Sequence, residues 1–88
     1  MQLYKQALLK ILDWSYTKPY TANKGAAQVY VQAMPQAEEE GRMFYNSEAK
    51  GRRTQLVYIL SNLQYWRGET AKEVKTIIKE QIKLDANG

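Results

Sequence analysis

Between Gln55 and Leu84 apolar side chains recur at three- and four-residue steps on both sides of Arg67-Gly68-Glu69, the spacing of two consecutive amphipathic helices. Leu56, Ile59, Leu60, Leu63 and Trp66 share one stripe of the first helix, and a stripe of that size must be buried. Gly68 stands where a helix ends in a left-handed residue. Thr70-Ala71-Lys72-Glu73 fits a capping box, in which the threonine and glutamate side chains satisfy orphan backbone donors of a new helix. The second helix turns Val74, Ile77, Ile78 and Ile82 to one side, and so short a connection predicts that the two fold back on each other.

The residues before Gln55 predict further helices. Leu3 to Ser15 places Tyr4, Ala7, Leu8, Ile11 and Leu12 inward. Tyr16 to Gly25 is rich in turn formers and reads as a loop pinned by Tyr16 and Tyr20 on either side of Pro19. Ala26 to Ala33 has helical apolar spacing, although the β-branched and aromatic content of Gln28 to Gln32 would also suit a strand; helix is the preferred reading. Pro35 breaks the chain near Met34 and opens a short helix toward Glu40, with Gly41 as its stop. Arg42-Met43-Phe44-Tyr45 is then expected to seal the core at a corner, and Asn46 or Ser47 to cap the next helix. The expected fold is all-α: one domain over residues 1–88, a small bundle of about four helices with a C-terminal antiparallel hairpin.

Much chemistry has no residues to run on. Without histidine or cysteine there is no disulfide framework, no thiolate zinc site and no nucleophile–histidine pair. Ser15, Ser47 and Ser61 fit a helix end, a cap and a helix surface. Asp13, Glu48, Glu69, Glu73 and Glu80 show no spacing that marks an acid–base pair. Gly25, Gly41, Gly51, Gly68 and Gly88 are isolated, unlike a phosphate-binding loop. Glu38-Glu39-Glu40 occupy successive helical positions that point three ways, which suits solvated carboxylates better than a metal site. No enzyme, cofactor or metal is expected. Gln2, Lys5, Gln6, Lys10 and Asp13 interrupt the first apolar segment, and no apolar run approaches the ~20 residues of a membrane span, so the expectation is a soluble, cytoplasmic protein without a signal peptide.

The net charge of +4 is unevenly placed: residues 1–46 hold five basic and four acidic side chains, residues 47–88 eight and five. Lys72, Lys75, Lys79 and Lys83 fall within about 80° of one another on the last helix, on the side read as opposite its apolar face. With Arg52, Arg53, Tyr65 and Arg67 they form the candidate binding surface. Tyr58, Tyr65 and Trp66 could stack on bases or fill the helix interface. Base-specific reading by a helix-turn-helix is disfavoured, because Gln64 and Glu69 stand where such a turn wants a small and an apolar residue. At most weak nucleic-acid binding is expected at physiological salt.

Tyr58-Ile59-Leu60-Ser61-Asn62-Leu63-Gln64-Tyr65-Trp66-Arg67-Gly68-Glu69 with Ala71-Lys72-Glu73-Val74-Lys75 resembles small proteins of unknown function encoded by phages and prophages of Gram-positive bacteria, most strongly over residues 47–84. The resemblance carries no functional residue across. It implies a cytoplasmic accessory protein of the bacterial host that acts by binding. The leading expectation is therefore a non-enzymatic protein-interaction module, with a protein partner or a second copy of itself; the alternative is a nonspecific nucleic-acid-binding accessory protein.

Overall fold

The computed structural model describes residues 3–87; Met1, Gln2 and Gly88, including the Gln2 interruption and the last isolated glycine, lie outside the described residues. The chain is all-helical. Its elements are α1 (Leu3–Ser15), α2 (Ala22–Gln32), α3 (Met34–Tyr45), α4 (Glu48–Ser61) and α5 (Glu69–Ala86). Among the described residues five helices replace the expected four or so, because the segment around Pro35 is a full helix, with the proline in its first turn where a missing backbone donor costs nothing. The segment Gln28 to Gln32 is helical, within α2.

One core joins all the helices but α3 leans on it least. Tyr4, Ala7, Leu8 and Ile11 of α1 meet Ala27 and Val31 of α2, Met34 of α3, Leu56 and Ile59 of α4, Leu63 of the following link, and Val74 and Ile78 of α5. Leu60, Trp66, Ile77 and Ile82 pack around it half-buried. The helical spacing of these residues is what puts them on facing stripes.

The loop between α1 and α2 is shorter than its turn-rich sequence implies. Thr21 caps α2 by accepting from the Lys24 backbone at 3.2 Å, so Ala22 to Gly25 are already helical. Tyr16 and Tyr20 do not pin the loop; both are exposed. A buried lysine holds it instead. Lys24 Nζ donates to the Thr17 carbonyl at 2.9 Å, the Thr17 hydroxyl at 3.0 Å and the Pro19 carbonyl at 2.9 Å, around a cis Lys18–Pro19 bond. All three ammonium donors are thereby satisfied, which is what allows the charge to be buried.

Gly41 does not stop α3. The helix runs on to Tyr45 and ends at Asn46 in the left-handed conformation. Gly41 faces Gly51 of α4, and a Cβ at Gly41 would sit 2.7 Å from the Gly51 nitrogen, while one at Gly51 would collide with the Ala37 carbonyl. The two helices therefore cross backbone against backbone. Such a crossing leaves no interior volume for the next large side chains, so Met43, Phe44 and Tyr45 stand 67%, 72% and 65% exposed rather than sealing the core. Ser47 caps α4 as expected, accepting from the Lys50 backbone at 3.2 Å.

The link between α4 and α5 begins earlier than the apolar stripe suggests. Ser61 Oγ and Asn62 Nδ2 both donate to the Tyr58 carbonyl, at 2.8 and 2.9 Å, taking an acceptor that the helix would need to continue. Leu63 and Trp66 reach the core from turns, not from the helix. Gly68 is left-handed in φ, at 111°, but as the residue that precedes α5. The capping box does not form: α5 starts at Glu69, Thr70 lies within its first turn, and no side chain caps it.

Candidate binding surfaces

Arg52 is not on the candidate surface. Its guanidinium donates from Nε and Nη2 to the two carboxylate oxygens of Asp85, at 2.8 and 2.6 Å, and from Nη1 to Glu38 at 2.8 Å. Tyr4 donates to the same Glu38 oxygen at 3.2 Å, with its ring 5.3 Å from the guanidinium carbon. These contacts hold the Arg52 side chain at 16% exposure and Asp85 at 3%, a buried polar tie between α1, α3, α4 and α5. Its two carboxylates raise the already high Arg52 pKa further, Asp85 foremost, against the opposing effect of burial. The triplet of glutamates does diverge. Glu38 binds Arg52, Glu39 pairs with Arg42, and Glu40 accepts from Gln36.

Three of the remaining candidate cations meet at the joint between α4 and α5. Arg67, Lys72 and Lys75 line an open cleft of about 320 Å3 with Trp66, Gly68, Glu69 and Ala71. Lys75 Nζ donates to the Trp66 carbonyl at 2.7 Å and is the half-buried member of the lysine row; burial lowers its pKa, and the neighbouring charges of Arg67 and Lys79 push it the same way. Lys72, Lys79 and Lys83 are exposed, as are Arg53 and Tyr65. At ~100° per residue the row flanks the buried face of Ala71, Val74 and Ile78 instead of opposing it; Glu69, Glu73 and Glu80 take the opposite side. Of the sequence's candidates the structure thus brings Arg67, Lys72, Lys75 and Lys79 together, and withdraws Arg52.

Trp66 is committed elsewhere. Its ring stacks on Trp14 with centroids 5.0 Å apart, and Lys24 Nζ lies 5.4 Å from the Trp14 centroid on the loop side. Tyr58 likewise stacks on Tyr30 at 5.6 Å. Tyr65, next to Trp66, is 72% exposed.

A second surface, which sequence reasoning assigned to the core, is the rim of the α3–α4 crossing. The two glycines leave a notch of about 250 Å3 walled by Phe44 and Tyr45, with Glu40, Lys50, Thr54 and Gln55 around it. Lys50 Nζ lies 5.4 Å from the Tyr45 ring centroid. A Gly at residue 41 and another ten positions later, flanking a predicted corner, was the available signal for a close crossing. Comparison with protein-family models, characterised proteins and solved structures finds no match, so both surfaces stand on this chain's residues alone.

Proposed function

We propose that this chain is a non-enzymatic protein-interaction module, an accessory protein of phage or prophage type acting in the cytoplasm of its bacterial host, whose α3–α4 rim docks on a second copy of itself. One observation carries the reading: Phe44 and Tyr45, 72% and 65% exposed, together wall a notch at the glycine crossing. Contiguous exposed apolar side chains rimmed by charge mark an association surface. The rim is self-complementary, since exposed Lys50 and Glu40 both line the notch and neither takes part in a salt bridge among the described residues. A two-fold contact would set each copy's cations against the other's carboxylates. The same proposal takes α4 and α5 as an antiparallel hairpin, supported by Arg52 near the start of α4 meeting Asp85 near the end of α5. The phage-type assignment rests on the pattern of residues 58–75 alone.

Light scattering at high micromolar concentration is expected to give a two-chain mass, and Phe44→Ser with Tyr45→Ser to return it to one. Both positions are exposed, so the double variant should keep its helical circular dichroism. A one-chain mass for the unaltered protein overturns self-docking.

A further inference from the structure

The joint between α4 and α5 holds more positive charge than the fold uses. Arg67, Lys72 and Lys75 share one cleft, and Lys79 follows Lys75 one turn along the same side of α5. None of the four takes part in a salt bridge among the described residues, where Arg42 and Arg52 account for all of them. Glu69 also lines the cleft, leaving three cations there against one carboxylate, with Lys79 beyond it. Like charges held this close repel; burial is the larger cause of the lowered Lys75 pKa, and Arg67 and Lys79 lower it further. An anionic partner would relieve that repulsion.

Two features choose the kind of anion. From Lys72 to Lys79 the row extends about 10 Å along α5 at 1.5 Å per residue, long enough for more than one phosphate of a polynucleotide strand. Tyr65, one residue before Trp66 and two before Arg67 of the cleft, is largely exposed and makes no ring stack among the described residues, whereas Trp66 is occupied by Trp14. A duplex hides its base faces; an unpaired strand offers them to an aromatic ring next to cations. An acidic peptide would use the charges but leave Tyr65 without a role.

We propose that this joint is a binding site for single-stranded nucleic acid, in which Arg67, Lys72, Lys75 and Lys79 neutralise backbone phosphates and Tyr65 stacks on a base. The site lies at the far end of α4 from the Phe44–Tyr45 rim, about 20 Å away by helix rise, so self-association and strand binding use separate surfaces and can be lost separately.

The experiment is a fluorescence anisotropy titration with a labelled oligothymidine of about twelve nucleotides, within the footprint of small single-strand binders. The expected dissociation constant is roughly 1 to 100 µM near physiological salt, with the logarithm of affinity falling linearly against the logarithm of salt. Lys72→Glu with Lys79→Glu should weaken binding by about tenfold or more and flatten that slope. Tyr65→Ala should weaken it about fivefold or more and leave the slope unchanged, because stacking releases no counterions. Lys5→Glu on α1 should do neither, and polyglutamate should compete poorly. All four positions are exposed, and circular dichroism checks that each variant folds. The proposal is overturned by absence of binding at low salt. It is equally overturned if Lys5→Glu costs as much as the α5 changes, or if Tyr65→Ala has no effect while polyglutamate displaces the strand, which would mark an acidic-protein site.

Discussion

Arg52 and Asp85 meet through two parallel hydrogen bonds, at 2.8 and 2.6 Å, with the carboxylate almost wholly buried. Gln81 adds a third donor to Asp85 at 3.0 Å. A two-point guanidinium–carboxylate contact fixes orientation as well as charge, so it sets how the start of α4 sits on the end of α5. Removing one partner of a buried pair costs about 3 to 5 kcal/mol because the other charge stays behind. Asp85→Ala should fall near 3 kcal/mol, since Glu38 still neutralises Arg52. Glu48→Gln, in the exposed pair with Arg42, should change stability by less than about 1 kcal/mol. Urea unfolding midpoints compare the two, and equal effects would remove the structural role given to Arg52.

The same substitution should have opposite signs at two glycines. Gly51→Ala drives a Cβ into the Ala37 carbonyl, a backbone atom that cannot swing aside, so α3 and α4 must separate. Gly25→Ala meets nothing within 4 Å inside α2. There alanine's helix preference should stabilise by about 0.5 to 1 kcal/mol. Thermal melts that move the same way for both would count against the close crossing.

How much was legible follows from which signals are local. Apolar spacing located α1, the inward face of α5 and the buried Leu56, Ile59 and Leu63, because burial acts on side-chain pattern regardless of partner. Helix ends were misplaced where several polar residues could serve. Ser61 and Asn62 ended α4 before its apolar stripe ran out, and Gly68 took the position expected for Thr70. Long-range contacts were beyond reach. Nothing near Arg52 in the chain announces Asp85 or Glu38, so it looked like one more surface cation. Lys24 in turn looked like loop, although three oxygens and a tryptophan ring await its ammonium group. Gly41 looked like a stop because a helix interior rarely wants glycine, unless another backbone lies against it.

Tyr4 gives the fold an alkaline weakness. Burial raises its phenol pKa above the ordinary 10.0, and the Glu38 carboxylate raises it further against the opposing charge of Arg52. Below 10.0 the phenol is protonated in both folded and unfolded chains, and its contribution is complete. As pH rises past that value the unfolded chain releases the proton first, so stability falls until the folded phenol also ionises. Tyr4→Phe should remove this part of the alkaline loss, at a cost of about 1.5 kcal/mol near neutrality for the bond to Glu38. Unfolding free energies from pH 7 to 11, on the order of the phenol and amine range, compare the slopes; identical slopes would deny Tyr4 its part.

Lys75 works in the other direction and reports on the joint itself. Its ammonium is disfavoured in the folded chain, first by burial and then by Arg67 and Lys79, so it titrates below the ordinary 10.5. The folded state therefore carries a penalty at neutral pH, and stability gains as pH rises from the lowered value through 10.5, where the unfolded lysine also loses its proton. Arg67→Ala removes the second cause and leaves the first. Carbon NMR of the lysine side chains should then show Lys75 as the low outlier in the unaltered protein, moved part of the way back in the variant. Saturating oligothymidine should move it up as well, because phosphate favours the charged amine. A Lys75 that titrates with the bulk of the lysines, unaffected by Arg67→Ala, would mean that these charges do not converge.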